Sequence, residues 1–345
     1  MASKVNGVVR IGLIGSGGIS QAHGRGFVKY ADKIKCVALC DVSQENLQKR
    51  SEQLGGVERK FNDWKTMLKE MGDQIDAVDI CLPHHLHGPA ILDAAAAGKH
   101  ILCEKPMCMN LQEANAIAEA VKKAGVTYMS AHNQLFMPVV QEAKKLIDSG
   151  AIGRVYWLRS QDCFRAGGAG GSPFKGSWRA SLATQGGGEL IDTGYHPSYR
   201  LLYLAGSPAV KIRGTMGRFV QPIEGEDTAA VQVRFENGAI GEILTSWAFP
   251  LPHGTHQIHV VGEKGQIFGS GNTLYHMPEG AKEPEKREFA AVDTFEAEIG
   301  HFADCLREGK RPIHSVEEGR AVLELILTAT QEAEGWQQTA VVKPE

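Results

Sequence analysis

A chain of 345 residues has room for about two domains at the usual ~150 residues each, and its 43% apolar, 22% charged and 7% aromatic content excludes a disordered or collagen-like polymer. With 37 basic against 40 acidic residues the formal charge is −3, so no basic field exists to hold a nucleic acid or an anionic membrane. Seven cysteines without a CxxC pair point to reduced thiols. The opening MASKVNGVVR has neither the apolar core nor the cleavage site of a leader, and no apolar run is long enough to span a bilayer, so a cytoplasmic location is expected.

Up to about residue 148, short apolar runs alternate with amphipathic stretches. Strands are expected at 8–14, 36–40, 77–82, 100–103 and 126–130, with helices at 18–30, 44–54, 64–71, 88–97 and 111–123. This βαβ rhythm predicts a doubly wound parallel sheet covered by helices. After Gly153 the texture changes to longer alternating runs at 155–159, 228–235, 240–247 and 257–261, the signature of an antiparallel sheet. Asn237-Gly238 suits a tight primed hairpin turn between two of them. One face of such a sheet needs cover, which a partner subunit can supply. The stretch 167–171, followed by Ser172-Pro173, reads as a long mobile loop, and two helices, at 294–308 and 316–334, close the chain.

Directly after the first strand stands Gly15-Ser16-Gly17-Gly18-Ile19-Ser20, opening a helix. Gly15 permits the tight turn, and Gly17 clears the space where a diphosphate approaches the helix's unpaired amides. The third position of the fingerprint is Ser20 rather than glycine or alanine. Asp41 ends the second strand 24 residues beyond Gly17, close to the spacing of an acid that accepts hydrogen bonds from the adenosine ribose. Its charge would repel a 2′-phosphate, so NAD is expected rather than NADP. Asp41 can also cap the following helix.

Leu82, Pro83, His84, His85 and His87 follow one strand, and Glu104, Lys105 and Pro106 the next, both at carboxyl ends where open α/β sheets place ligands. Leu82, Pro83, His87 and Glu104 are read as lining the cofactor, together with Asn133 near the nicotinamide amide. Lys105 can stabilise a developing alkoxide. The histidines lack a carboxylate or cysteine set at ligand spacing, so no metal is expected.

The glycine turn, the 83–87 segment, Gly98-Lys99-His100-Ile101-Leu102-Cys103-Glu104-Lys105-Pro106, and Gly187-Gly188-Glu189-Leu190-Ile191-Asp192-Thr193-Gly194-Tyr195-His196 occur in one order along the chain. Together they resemble the Gfo/Idh/MocA family of nicotinamide-dependent oxidoreductases over almost the whole length. The resemblance implies an α/β chain with a Rossmann domain at 1–131, followed at 132–345 by a substrate-binding and oligomerisation domain of α+β type. That second domain carries a large, open, mostly antiparallel sheet used for homodimer or homotetramer contacts. It implies Lys105, Asp192 and His196 as the catalytic group, and a Lys105–Pro106 bond that is often cis in relatives. It also implies redox chemistry at a carbon–oxygen bond of a sugar, cyclitol or related diol.

The residues themselves agree with that reading. Asp192 and His196 are four apart and would share a face if helical, although the neighbouring glycines and Pro197 argue against a regular helix. The expected reaction interconverts a secondary hydroxyl and a ketone on a sugar, glycoside (a glucoside C3 among them) or cyclitol, with hydride going to nicotinamide. Lys105 or His196 takes the proton and Asp192 orients them. Tyr199 stands where many relatives have an aspartate. Arg165, Trp178 and Arg179 precede the motif as substrate contacts, Trp178 serving either to stack on a ring or to fill space between domains. Two alternatives stay open: a dihydrodiol dehydrogenase with a more apolar pocket, and a catalytically silent NAD-binding regulator.

Overall fold

The computed structural model describes residues 4–167 and 171–336, so the tip of the expected mobile loop, 168–170, lies outside the described residues. Contacts gather the chain into two units, Met1–Asn133 with Asp293–Ala321, and Gln134–Val292 with Val322–Glu345. Where the sequence suggests one boundary after residue 131, the chain therefore returns to its first unit from residue 293 to 321.

In the first unit the elements are β1 (Val9–Ile14), α1 (Ser20–Lys29), β2 (Ile34–Cys40), α2 (Gln44–Gln53), β3 (Arg59–Phe61), α3 (Trp64–Glu70), β4 (Ala77–Ile80), α4 (His84–Ala96), β5 (His100–Glu104), α5 (Leu111–Ala124) and β6 (Tyr128–Ala131). Six parallel strands lie in the order β3-β2-β1-β4-β5-β6. The order reverses between β1 and β4, which opens the ligand crevice of a doubly wound sheet at their carboxyl ends. β4 and β5 are buried at every position, as strands covered on both faces must be. β3 was not expected, because Arg59-Lys60-Phe61 is short, polar and partly exposed. α4 starts four residues earlier than its pattern suggests: Pro83 takes the N-cap in an extended conformation and Pro89 falls inside the helix.

The second unit holds α6 (Pro138–Asp148), β7 (Val155–Cys163), α7 (Leu182–Gln185), α8 (Tyr195–Ala205), β8 (Ala209–Gly217), β9 (Thr228–Phe235), β10 (Ile240–Ser246), β11 (Ile258–Gly262), β12 (Gly265–Ser270), β13 (Thr273–Pro278) and β14 (Glu285–Glu288). Its eight strands run β14-β13-β12-β11-β7-β10-β9-β8, antiparallel except for the β7–β10 pair. α6 and α8 pack on the sheet, where Leu158, Val231, Val233, Val260, Ile267 and Leu274 are buried. Period-two alternation sends Trp157, His259, Phe268 and Tyr275 to the opposite face, where they touch as a row of rings with centroids 5.2–5.6 Å apart. The β9–β10 hairpin corrects one expectation. Asn237 does not take a positive φ and Gly238 does (+90°), with Gly238 N–H bonded to Phe235 O at 3.0 Å. This is a type I turn closed by a glycine in the left-handed region, because the asparagine spends its side-chain oxygen on the Ala239 N–H instead.

The chain then forms α9 (Thr294–Glu308) and α10 (Val316–Trp336). α9 packs along α1 so closely that a Cβ at Gly26 would lie 2.6 Å from the Cβ of Ile299. All seven cysteines are free thiols, and no described helix is long and apolar enough to cross a membrane. Gly26→Val should overpack the α1–α9 crossing and cost about 1–3 kcal/mol of stability. The measurement is the urea midpoint, and an unshifted midpoint would contradict the crossing.

Candidate active site

β1 runs straight into the turn that receives a dinucleotide. Gly15 has φ +93° and donates its N–H to Cys40 O at 2.8 Å, and a Cβ there would lie 2.3 Å from the Cys81 carbonyl oxygen. Only glycine fits. At Gly17 and Gly18 a Cβ would meet nothing within 4 Å, so this side of the turn is open. Ile19 precedes α1 without a side-chain cap, and the Gln21 and Ala22 amides turn back onto Gly18 O (3.2 Å) and Ile19 O (2.9 Å), so the approach to the turn lies over Gly17 and Gly18. The Ser16 hydroxyl is buried with no hydrogen-bond partner among the described residues.

Ser20 explains how the fingerprint survives without its third glycine. Its hydroxyl donates to Gly17 O at 2.7 Å and accepts from Arg50 Nε at 3.0 Å, while Arg50 Nη2 reaches Gly17 O at 3.0 Å. A buried guanidinium thus braces the turn from α2. Asp41 follows β2 directly, its carboxylate accepting from the Ser16 N–H at 2.7 Å and the Ser43 N–H at 2.8 Å. Ser43, not Asp41, caps α2. The open turn, the orphaned Ser16 hydroxyl and a fixed carboxylate beyond β2 fit the diphosphate and ribose of NAD and disfavour a 2′-phosphate.

At the carboxyl ends of β4 and β5 the expected residues do gather. His87 is buried, with Nε2 2.8 Å from Leu82 O and Nδ1 2.6 Å from Pro106 O, so its ring ties the Leu82-Pro83 segment to the turn after Lys105. Burial pushes its pKa down despite the two carbonyls. Glu104 accepts the Lys105 N–H through Oε2 at 3.0 Å, and the Lys105–Pro106 peptide is cis, as the resemblance implies. Lys105 itself is half-buried. Asn133 is nearly buried and donates to Thr294 Oγ1 at 2.9 Å. Among the described residues, His23, Asp79 and Cys81 hold donor atoms within 4.8 Å of one another, and none of them comes from the 84–87 segment.

In the second unit, α8 begins at Tyr195, so Asp192 lies in the preceding turn and does not share a helical face with His196. The Glu189 carbonyl holds that turn by accepting the N–H groups of Asp192 (3.1 Å) and Gly194 (2.9 Å). The Glu189 side chain is buried beneath it, where burial drives its pKa well above the carboxylate range. Asp192 accepts from Arg179 Nε at 2.6 Å, and the Arg179 guanidinium lies 4.2 Å over the Trp178 ring, so these three form one row. Arg165 is exposed. His196 stands 2.7 Å through Nδ1 from the hydroxyl of Tyr199, which is fully buried and accepts the Gln134 N–H at 3.0 Å. The residue that departs from the family pattern thus holds the histidine. Sequence reasoning left Arg50 and His23 unread, since each acts on a partner far away in the chain.

Glycine turn, switch point and fixed acid define an NAD-binding protein, and the family match makes it an oxidoreductase. Residues 9–132 match the oxidoreductase family with an NAD-binding Rossmann fold and residues 140–268 the GFO/IDH/MocA C-terminal domain; the chain belongs to the Gfo/Idh/MocA family. It is 29% identical over 335 residues, 93% of each chain, to scyllo-inositol 2-dehydrogenase (NAD(+)) of Bacillus subtilis. It is 26% identical to D-glucoside 3-dehydrogenase of Escherichia coli, over 70% of this chain and 71% of that one. The fold is shared with levoglucosan dehydrogenase in complex with NADH and levoglucosan, at TM-score 0.86, 24% identity and coverage of 95% and 97%.

Two outcomes are expected. Ser20→Ala removes the hydroxyl between Arg50 and the turn and should weaken NAD binding about fivefold by calorimetry, a loss of about 1 kcal/mol. Unchanged affinity would mean the brace is idle. Tyr199→Phe keeps the buried ring but removes the hydroxyl at His196 Nδ1 and strands the Gln134 N–H, and should lower kcat about tenfold at constant NAD affinity; full turnover would show that another group orients the histidine.

Proposed function

We propose that the protein is an NAD-dependent dehydrogenase that interconverts a secondary hydroxyl and a ketone on a sugar, glycoside or cyclitol ring, a glucoside C3 hydroxyl among its candidates. What carries the reading is the presence of Lys105, Asp192 and His196 in family order, in a chain whose whole-length relatives are named for ring alcohols. A silent regulator would need only the glycine turn and Asp41. Bound NAD supplies the hydride acceptor. Lys105 and His196 then handle the hydroxyl proton, and Tyr199 holds the histidine ring from behind. Asp192 orients this group and keeps Arg179 in place. The row of Trp178 and Arg179 offers an aromatic face and a guanidinium to a hydroxylated ring. The open aromatic face of the second unit's sheet would seat another copy in a homodimer or homotetramer, and the cytoplasm is the compartment this reading implies.

The test incubates purified protein with NAD and a panel of sugars, glucosides, cyclitols and aromatic diols, following loss of two hydrogens by mass spectrometry. Oxidation of a ring alcohol is expected; a preference for aromatic diols would move the protein to the dihydrodiol class, and silence on every alcohol would favour the regulator. Lys105→Ala and His196→Ala should each lower kcat by about 100-fold or more. Near-normal turnover in both would overturn their roles.

A further inference from the structure

Ionisable side chains from four elements meet inside the first unit, one residue away from Lys105. His23 on α1 is wholly buried, with Nδ1 2.9 Å from Asp79 Oδ2 on β4 and Nε2 3.1 Å from Glu104 Oε1 at the end of β5. Glu298 of α9 adds a third carboxyl, its Oε1 4.0 Å from His23 Nε2 and both its oxygens buried without a hydrogen-bond partner among the described residues. The Cys81 sulfur stands 3.7 Å from Nδ1, and the Phe295 ring of α9 closes one side at 5.9 Å. On α2 the Arg50 charge interacts with Cys81, and its guanidinium is bonded to Ser20 and Gly17.

A neutral imidazole carries one N–H and one lone pair. Placed between two carboxylates, it would aim the lone pair at one of them; only the doubly protonated ring donates to both. Glu298, with no donor in reach, is tolerated in such a place as a neutral acid. Glu104 is the link to function, because its other oxygen accepts the Lys105 N–H at 3.0 Å. We propose that His23, held as an imidazolium between Asp79 and Glu104, is the positioning residue that fixes Lys105 for the dehydrogenase reaction, with Glu298 beside it as a neutral acid.

The titration directions agree. Burial alone would strip the His23 proton, but the Asp79 charge and hydrogen bond, with Cys81, more than reverse this and raise its pKa well above the ordinary value. Burial raises Glu104 too, yet the His23 hydrogen bond and charge bring it below the usual carboxylate range. Glu298 is driven well above that range by burial, which the attraction of His23 does not cancel, and the Glu104 and Asp79 charges push the same way. The donor trio of His23, Asp79 and Cys81 is close enough to share a cation, but the nitrogen it would use already faces Asp79.

The inference rests on the dehydrogenase reading for its kinetic part only. Nitrogen-15 NMR of the histidine-labelled protein at about pH 8.5, roughly two units above the ordinary histidine pKa, should show both His23 ring nitrogens protonated, and in Asp79→Asn the ring should be neutral. A neutral tautomer in the native protein, or a stoichiometric metal ion in elemental analysis, would overturn the proposal. His23→Gln, which cannot donate from both ends, should lower kcat tenfold or more while the NAD dissociation constant stays within twofold. If that variant does not fold, Asp79→Asn should lower kcat about threefold at unchanged NAD affinity, and unchanged kcat would refute the positioning role. Absence of any dehydrogenase activity in the native enzyme would instead sink the functional reading and leave the NMR result standing.

Discussion

The close backbone contact at Gly15 is the constraint on which the first unit's chemistry depends. A glycine α-carbon resting against the Cys81 carbonyl brings the ends of β1 and β4 together where the strand order reverses. What a dinucleotide needs follows from that approach: the turn stays open at Gly17 and Gly18, the Ser16 N–H bonds Asp41, and the segments after β4 and β5 emerge beside the turn. A single methyl group at residue 15 would push these elements apart.

Around this contact the chain invests polar groups in holding backbone rather than in facing solvent. Arg50 and Ser20 brace the glycine turn, and His87 stands between the Leu82 carbonyl after β4 and the Pro106 carbonyl after β5. His23 joins β4 to β5. The second unit follows the same logic, with the Tyr199 hydroxyl accepting the Gln134 N–H and standing at His196 Nδ1. Buried side-chain bonds of this kind are costly unless complete, and complete ones hold a reactive group in a single orientation.

Much of the fold was legible because its signals are local. Short, mostly apolar runs marked β4 and β5, alternation marked β9 and β10, and the glycine turn announced the crevice. β3 escaped because three mostly polar residues carry no period, and the early start of α4 because its two prolines mask it. The Asn237-Gly238 hairpin was found, but its turn type depended on where the asparagine side chain bonded. Lys105, Asp192 and His196 were readable as a motif in order, whereas the work of Tyr199 and Arg50 was not.

The amino-acid sequence by itself determined the class of this protein: strand and helix periods, the glycines of the turn, Asp41 and the motif residues are properties of short stretches. Tertiary structure alone decided the company those residues keep. His23 meets Asp79, Glu104 and Glu298 across 56, 81 and 275 residues of chain, and residues 293–321 rejoin the first unit. Such pairings arise from the packing of whole helices on sheets, a long-range fit that no local pattern encodes.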